Sequence, residues 1–251
     1  MQKVFLKAFL IISLLILTTI PATATEPAVS QINGKIGLTT GAIDNDKHFM
    51  GDGSIVFPLN NATGLQIDAG IGEWESSSIG DTDISRLGFH LFARNPQLGM
   101  AGIYASLIEL ETNFGDADID QYGIEGEVYS GPMTVAALLG QNSGDLDDDL
   151  LGTLDVRWYP MDELMLEVGA AIVDSNAKAH VGAEYQLLES LASYTDLALS
   201  AYADLALGDN SYDHALIGLR AYFGTPKSLV KRHREDTVGN STDKLNPPLL
   251  Q

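Results

Sequence analysis

The stretch Asp213–Gly224, with the sequence D-H-A-L-I-G-L-R-A-Y-F-G, decides the fold. On one side of an extended chain it carries only apolar residues, which are Ala215, Ile217, Leu219, Ala221 and Phe223. The other side carries His214 and Arg220 among less polar neighbours. A period of two with one uniformly apolar face predicts a β-strand. A soluble sheet buries such a face in a protein core, whereas a transmembrane β-barrel turns it to lipid and keeps the polar face inside.

The same two-faced pattern recurs along the chain and predicts twelve strands of roughly ten residues, the length that a tilted strand needs to cross a bilayer. They are Gln31–Ala42, Asp52–Phe57, Gly64–Gly72, Ser85–Arg94, Met100–Ile108, Gln121–Tyr129, Met133–Gly140, Leu150–Tyr159, Glu163–Val173, Lys178–Gln186, Tyr194–Leu207 and Asp213–Phe223. We therefore predict an all-β fold, an antiparallel transmembrane β-barrel of twelve strands. The alternative is an exported soluble β-sandwich or solenoid, with which small outward residues such as Ala105 and Ala170 are compatible.

Residues 1–24 have the features of a secretory signal peptide. Lys3 and Lys7 precede an apolar run, and Ala22-Thr23-Ala24 supplies small residues before the expected cleavage point. A retained membrane anchor is the other interpretation, but the apolar run is short for a spanning helix. We therefore predict that the protein is exported.

The composition restricts the partners of the exported chain. It contains no cysteine, so an exported protein of this sequence is held together without disulfides. The formal net charge is −20, and removal of Lys3 and Lys7 with the signal peptide would take it to −22. So acidic a chain is not expected to bind nucleic acid.

Most of the acidic residues between Thr25 and Gly224 belong to one of two groups. Most lie in the connections after odd-numbered strands, which are longer and more polar than the turns after even-numbered strands. Eight others share the predicted inward faces with bases and histidines; these predicted interior residues are Lys35, Asp68, Arg86, His90, Glu125, Glu127, Asp155, Arg157, Glu167, Lys178, His180, Glu184, Asp196, Asp204, His214 and Arg220. A charge facing hydrocarbon costs about 2–4 kcal/mol, so this segregation favours a barrel whose exterior faces lipid.

Aromatic residues cluster at one end of the predicted barrel. Every even-numbered strand ends near its turn with at least one, namely Phe57, Phe92, Tyr129, Trp158, Tyr159, Tyr185, Tyr222 and Phe223. Rings with a polar edge favour the headgroup zone, so we predict an aromatic girdle at the periplasmic boundary.

Two acidic stretches suggest hard-cation binding. Asp116, Asp118 and Asp120 alternate along the chain, and Asp145 with Asp147 begins a denser cluster. Neither stretch has the glycine and closing glutamate of a complete EF-hand loop. We therefore interpret them as solvated surface charge, bridged by divalent ions to lipopolysaccharide phosphates, and predict no cofactor and no dedicated metal site.

No constellation typical of an enzyme is evident. A lipid-hydrolysing barrel would need serine, histidine and an orienting polar group on its outer surface. Ser85 and Ser106 lie on predicted strands, and no serine stands in a recognisable nucleophile motif beside an outward histidine. We predict no catalytic residues.

The closing A-x-I-x-L-x-A-x-F, Ala215–Phe223, resembles the terminal-strand signal of bacterial outer-membrane β-barrel proteins of the porin-like kind. The resemblance implies residence in the outer membrane among lipid and lipopolysaccharide, and recognition by the barrel assembly machinery. The chain departs from that pattern because it continues for twenty-eight residues after Phe223. This continuation resembles the endings of proteobacterial barrel proteins of undetermined role.

We thus expect residues 25–224 to form the barrel and residues 225–251 to form a polar, partly basic periplasmic tail without fixed structure, since Pro247-Pro248 and mixed charges discourage order. The expected function is a narrow porin-like channel for passive diffusion of small or cationic solutes. The alternatives are a non-conducting structural or adhesion barrel that acts through its acidic outer loops, and a lipid-modifying enzyme. The sequence does not fix the oligomeric state.

Overall fold

The computed structural model describes residues 26–76, 80–145, 149–173, 176–188 and 197–239. Within these ranges the chain forms twelve strands and three short helical segments. The strands are β1 (Asn33–Ile43), β2 (Asp46–Pro58), β3 (Thr63–Ser76), β4 (Gly80–Asn95), β5 (Gly99–Thr112), β6 (Gly115–Ser130), β7 (Met133–Gly144), β8 (Leu150–Met161), β9 (Leu164–Val173), β10 (Asn176–Leu188), β11 (Leu197–Gly208) and β12 (Asp213–Phe223). A 3₁₀ turn spans Asp209–Ser211, and after β12 one α-helical turn, α1 (Leu229–Lys231), continues into a π-helical turn, Arg232–Asp236. The predicted signal peptide lies outside the described residues.

The strands close into one antiparallel barrel in which each strand pairs with its neighbours in sequence. β12 closes the ring on β1, with a register that runs from Gly34 opposite Phe223 to Ile43 opposite His214. The predicted twelve-stranded barrel is therefore confirmed, and the sandwich alternative is wrong. We call the end where the chain enters β1 and leaves β12 the terminal end, and the opposite end the distal end. None of the helical segments in the described residues is long and apolar enough to cross a membrane.

The connections at the distal end differ from the expectation of long acidic loops. β1 and β2 are joined by a two-residue turn, Asp44-Asn45, in which φ is positive at both residues, at 53° and 67°. Asp and Asn tolerate this conformation better than most residues, and such turns match the twist of a hairpin. Likewise β5 and β6 continue until only Asn113 and Phe114 separate them. The acidic segments are thus part of the paired strands and not of long loops. Carboxylates are tolerated there because water can solvate a strand end that projects beyond the lipid.

The outer surface of the barrel is apolar along most of its length. Large apolar side chains are exposed on the outward positions of nearly every strand, among them Ile36, Leu38, Ile71, Leu91, Ile103, Leu107, Ile124, Val168, Val181, Leu205, Ile217 and Leu219. So extensive an apolar exterior is incompatible with water but suits lipid. The residues that alternate with them point inward and are mostly buried.

The interior is layered along the barrel axis. An apolar layer lies at the distal end and contains Ile43, Trp74, Ile84, Ile108, Leu110, Ile119, Ala206 and Tyr212. Charged and polar side chains fill the middle, where the buried residues include Asp68, His90, Glu125, Asp155 and Arg157. Two further apolar clusters lie at the terminal end. Each contains a residue of the chain that follows the barrel, residues 225–239, which we call the C-terminal segment. The residue is Val238 in one cluster and Leu229 in the other.

The lipid-facing surface predicts a large effect of charge at mid-strand. Val168, near the middle of β9, is 55% exposed in the isolated barrel. Val168→Arg should lower the free energy of unfolding by about 2–4 kcal/mol, because the guanidinium would face hydrocarbon. Denaturant titration of the barrel folded into lipid vesicles measures this difference. Phe114→Arg, at the exposed tip between β5 and β6, is the control and should change stability by no more than about 0.5 kcal/mol. Equal losses in the two variants would contradict the assigned lipid face.

Candidate functional site: the charged interior and the C-terminal segment

The charged side chains that the sequence analysis assigned to the interior lie there in the structure. Lys35, Asp68, Arg86, His90, Glu125, Glu127, Asp155, Arg157, Glu167, His180, Glu184 and Arg220 are buried, while Lys178, Asp204 and His214 are half-buried and line a cavity in the lumen. Asp196 falls outside the described residues. On the described strands, sequence reasoning missed the interior charges Asp52 and Arg94 and the buried imidazole of His48. Arg94 follows Arg86 and His90 at even spacing on β4, so the period of two was sufficient to place it.

His90 joins two carboxylates across the middle of the lumen. One ring nitrogen, Nε2, lies 2.8 Å from Asp68, and the other, Nδ1, lies 2.8 Å from Glu125. The Tyr104 ring stacks on the imidazole with a centroid distance of 6.0 Å. Gln66 donates from its amide to Asp68 at 3.0 Å. A buried charge is tolerated when it is paired and hydrogen-bonded, and here each carboxylate has a partner.

Arg157 forms a second bridge between carboxylates. Its Nη1 donates to Glu127 at 2.9 Å and its Nε donates to Glu167 at 2.8 Å. Tyr129 also donates to Glu127, at 2.9 Å. These side chains come from β6, β8 and β9, so the network links strands that are not all neighbours in the sheet.

Glu184 is the most heavily bonded carboxylate at the terminal end. Its oxygens accept from Arg220 at 2.5 Å, from Ser200 at 2.5 Å and from the Tyr222 hydroxyl at 2.7 Å. The fourth partner is His233 of the C-terminal segment, whose Nε2 lies 3.6 Å away. Glu184 therefore ties three strands of the wall to the residues that follow the barrel.

The C-terminal segment is folded against the inside of the barrel up to residue 239. The expectation of a tail without fixed structure is wrong for residues 225–239, which form the two helical turns and bury Leu229, Arg232, Asp236 and Val238. The rest of the tail, residues 240–251, lies outside the described residues. Residues 225–239 are ordered because their basic and apolar side chains fit an acidic, aromatic-lined opening of the barrel. That opening is formed by residues distant in sequence, so the composition of the tail does not reveal it.

Four of the aromatic residues expected in a lipid-facing girdle point inward. Phe92, Tyr129, Tyr159 and Tyr222 are buried at the terminal end of the lumen, while Trp158, Tyr185 and Phe223 are exposed on the outer surface and Phe57 is half-buried. The girdle prediction considered position along the strand and not the face. We call Phe92, Tyr129, Tyr159 and Tyr222 the aromatic collar.

The collar holds the basic residues of the C-terminal segment. The Arg234 guanidinium lies 5.1 Å from the centre of the Tyr129 ring and 5.5 Å from that of Tyr159. Arg232 lies 5.4 Å from the centre of the Tyr222 ring. Cations over aromatic faces at these distances gain about 0.5–2 kcal/mol each, with the larger values where water is excluded. His233 lies between Tyr159 and Tyr222 and hydrogen-bonds to both hydroxyls, at 3.0 and 3.3 Å.

Hydrogen bonds to the barrel wall also fix the end of the segment. Arg94 donates to the backbone carbonyl of Asp236 at 2.8 Å, and the backbone N–H of Val238 donates to Gln66 at 2.7 Å. Burial raises the pKa of the Asp236 carboxyl, although Lys227, 2.5 Å away, acts in the opposite direction. The segment is thus positioned by backbone contacts as well as by its side chains.

A cavity of about 120 Å³ remains on one side of the lumen. Its lining runs from His48 and His214 near the distal end, past charged residues of β1, β9 and β12, to His233, Thr237 and Gly239 of the C-terminal segment. The segment therefore forms the wall of this cavity at the terminal end.

The acidic residues considered as weak candidates for hard-cation binding do not converge on one point. Asp116, Asp118 and Asp120 are exposed at alternate positions of β6, where side chains on one face are about 6.8 Å apart. Asp145 instead accepts a hydrogen bond from the backbone N–H of Asp118 at 3.0 Å. Asp147 lies outside the described residues. Parallel carboxylates on one exposed strand face offer no cage of oxygens to a hard cation.

The contacts of Glu184 lead to a prediction about the C-terminal segment. Glu184→Gln removes the charge that Arg220 and His233 share, and should weaken docking by about 1–3 kcal/mol. Trypsin should then release the tail after Arg232 and Arg234 roughly tenfold faster, since cleavage follows the population of the undocked state. Mass spectrometry of timed digests measures the rate. Glu109→Gln, at an exposed site on β5, is the control. Identical digestion of Glu184→Gln and the unmodified chain would contradict the docking role of Glu184.

Comparison with known proteins shows the fold and not a family. No family model and no curated protein matches the chain. Among solved structures, the KdgM porin is similar with a TM-score of 0.58 at 9% identity, over 76% of this chain and 99% of that one. The β domain of the Bordetella autotransporter BrkA is similar with a TM-score of 0.51 at 11% identity, over 77% of this chain and 98% of that one. The chain thus has the fold of the outer-membrane β-barrels.

Proposed function

We propose that the protein is a narrow, porin-like diffusion channel of the outer membrane whose terminal end is occupied by its own C-terminal segment. The observation that carries the proposal is the course of the lumenal cavity, which is lined by charged side chains and ends on His233, Thr237 and Gly239. In this state the segment narrows the pathway. Undocking would expose Glu184, the aromatic collar and the polar side chains behind them.

The charges of the lumen favour weak selectivity in the docked state. The carboxylates named above for the interior are Asp52, Asp68, Glu125, Glu127, Asp155, Glu167, Glu184 and Asp204, and the bases named are Lys35, Arg86, Arg94, Arg157, Lys178 and Arg220. Most of the interior carboxylates are paired with a base or a histidine, which reduces the net field along the pathway. Removal of the basic C-terminal segment would leave the carboxylates in excess and increase the preference for cations.

The likeness to KdgM supports a channel but not the same solute. One structure of that porin is described as a complex with disordered oligogalacturonate, an acidic sugar chain. When the C-terminal segment is undocked, carboxylates outnumber bases in the lumen, and such a lumen repels polyanions. We therefore propose small neutral and cationic solutes for this protein.

A non-conducting structural barrel is the second candidate, because both ends of the interior are filled. The apolar layer that includes Trp74 and Tyr212 occupies the distal end, and the C-terminal segment occupies the terminal end. In that case the acidic exterior of the distal end, with Glu73, Glu109 and Asp118 exposed, would act by binding divalent ions that bridge to lipopolysaccharide phosphates.

Single-channel recording in planar bilayers separates the two candidates. The full chain should show small or brief conductance, and a chain that stops after Gly224 should show a unit conductance several-fold larger. The reversal potential of the truncated chain in a salt gradient should shift towards the cation value. The controls are full-length Glu109→Gln, which should behave as the unmodified chain, and slower gel migration after boiling, which verifies that the truncated barrel is folded. Silence of both folded chains at every voltage would overturn the channel and favour the structural barrel.

A further inference from the structure

Three potential metal ligands meet in the interior wall, away from the C-terminal segment's contacts with Glu184. Asp155 of β8, Glu167 of β9 and His180 of β10 each offer a ligand atom, and these atoms all lie within 4.8 Å of one another. His180 Nε2 is 3.1 Å from Asp155 Oδ1 and 3.5 Å from Glu167 Oε1. Asp155 and His180 are buried, and Glu167 borders the lumenal cavity.

The sheet register creates the space in which these side chains meet. Gly169 on β9 is directly opposite Asp155 on β8 and His180 on β10. A Cβ atom at Gly169 would lie 2.1 Å from Asp155 Oδ1 and 2.7 Å from His180 Nε2. Only a glycine therefore lets the outer two side chains meet over the middle strand. Because the three ligands are attached to three paired strands, their positions are fixed before any ion binds.

Together with the side chains next to them, the three ligands include more acids than bases, which suits a cation. Arg157 pairs with Glu127 and Glu167, and Asp155 lies beside His180 as a third carboxylate. If the His180 imidazole is neutral, the three carboxylates and the Arg157 guanidinium together carry a charge of −2. Arg157 Nε holds Glu167 Oε2 at 2.8 Å and leaves Oε1 directed at His180. An outer partner that orients a ligating carboxylate in this way is common around bound metals.

We propose that Asp155, Glu167 and His180 form a binding site for a divalent transition-metal ion such as Zn²⁺. Imidazole nitrogen and carboxylate oxygen bind Zn²⁺ at about 2.0–2.2 Å, which places tetrahedral ligand atoms roughly 3.4 Å apart. The two distances from His180 Nε2 bracket that value. Three protein ligands leave a fourth position for water or a solute from the cavity next to Glu167.

His90 provides an internal comparison because it also lies between two buried carboxylates. Asp68 and Glu125 contact opposite nitrogens of its ring, so no single ion can bind His90 and both acids. At His180, in contrast, both acids approach the same nitrogen. A protonated histidine paired with two acids suits the first arrangement, and a metal ligand suits the second.

Metal content of the full-length barrel, refolded in detergent without a metal-binding tag, tests the proposal. After treatment with EDTA and dialysis against Zn²⁺, elemental analysis should find about one ion per barrel, and Zn²⁺ should raise the midpoint of thermal unfolding. His180→Gln and Glu167→Gln should each weaken Zn²⁺ binding by at least about 100-fold, since loss of a ligand is expected to exceed the effect of losing an outer partner. Co²⁺ bound in the same site should give the visible absorption of a low-coordinate N,O complex.

The matched control is His90→Gln, which removes an equally buried histidine with two acidic partners and should leave Zn²⁺ stoichiometry unchanged. Slower gel migration after boiling verifies that each variant is folded. Two results would overturn the site: an unmodified barrel that retains no Zn²⁺ above background, or a His90→Gln variant that loses as much Zn²⁺ as His180→Gln. In either case the pairing of a protonated His180 with Asp155 and Glu167 would account for the geometry.

Discussion

The structure depends on the closure of a β-sheet whose side chains alternate between lipid and lumen. In hydrocarbon every backbone N–H and C=O needs an internal partner, and a closed ring of paired strands provides one for each. Alternation then sends every second side chain inward, where twelve strands leave little room. The charges that cannot face lipid are thereby concentrated in a small volume and must pair with one another. The bridges made by His90, Arg157 and Glu184 are the direct consequence of this constraint.

Glycine is the second element of this arrangement, because large inward side chains need space beside them. Gly218 on β12 lies opposite Tyr202, and a Cβ atom there would be 2.5 Å from the phenol ring. The Tyr202 ring crosses this glycine, and its hydroxyl hydrogen-bonds with the Thr39 hydroxyl on β1. The Arg220 guanidinium lies 3.8 Å from the centre of the ring. Gly169 plays the same part between Asp155 and His180. In both places a glycine on the middle strand is paired with a polar residue on each neighbouring strand. The two polar side chains can therefore meet across the glycine.

Much of this could be predicted from the sequence, and the limits have physical causes. The strand Asp213–Phe223 has the predicted bounds because its two faces are distinct along its whole length. The prediction of long acidic loops at the distal end is wrong, because acidic residues such as Asp116 and Asp118 indicate exposure to water and not the end of a strand. The prediction that the collar residues face lipid is wrong as well. The sequence contains the signal, because Tyr129 alternates along β6 with the inward-facing Glu125 and Glu127. The docking of residues 225–239 could not be foreseen, because its hydrogen-bonding partners on the strands range from Tyr222 to Gln66, up to 172 positions away along the chain, and meet only once the barrel has closed.

Arg157 lies between the C-terminal segment and the cluster of Asp155, Glu167 and His180. It orients Glu167, and a Cβ atom at Gly239 would lie 2.4 Å from its Nη2, so the end of the C-terminal segment rests directly on the guanidinium. A larger residue at position 239 would have to displace Arg157 or move the segment. Displacement of Arg157 would take the guanidinium away from Glu127 and Glu167, and loss of the partner of a buried charge is costly. Docking of the segment and the geometry of the Asp155, Glu167 and His180 cluster therefore share one side chain. We therefore expect a change in either one to alter the other through the Arg157 guanidinium.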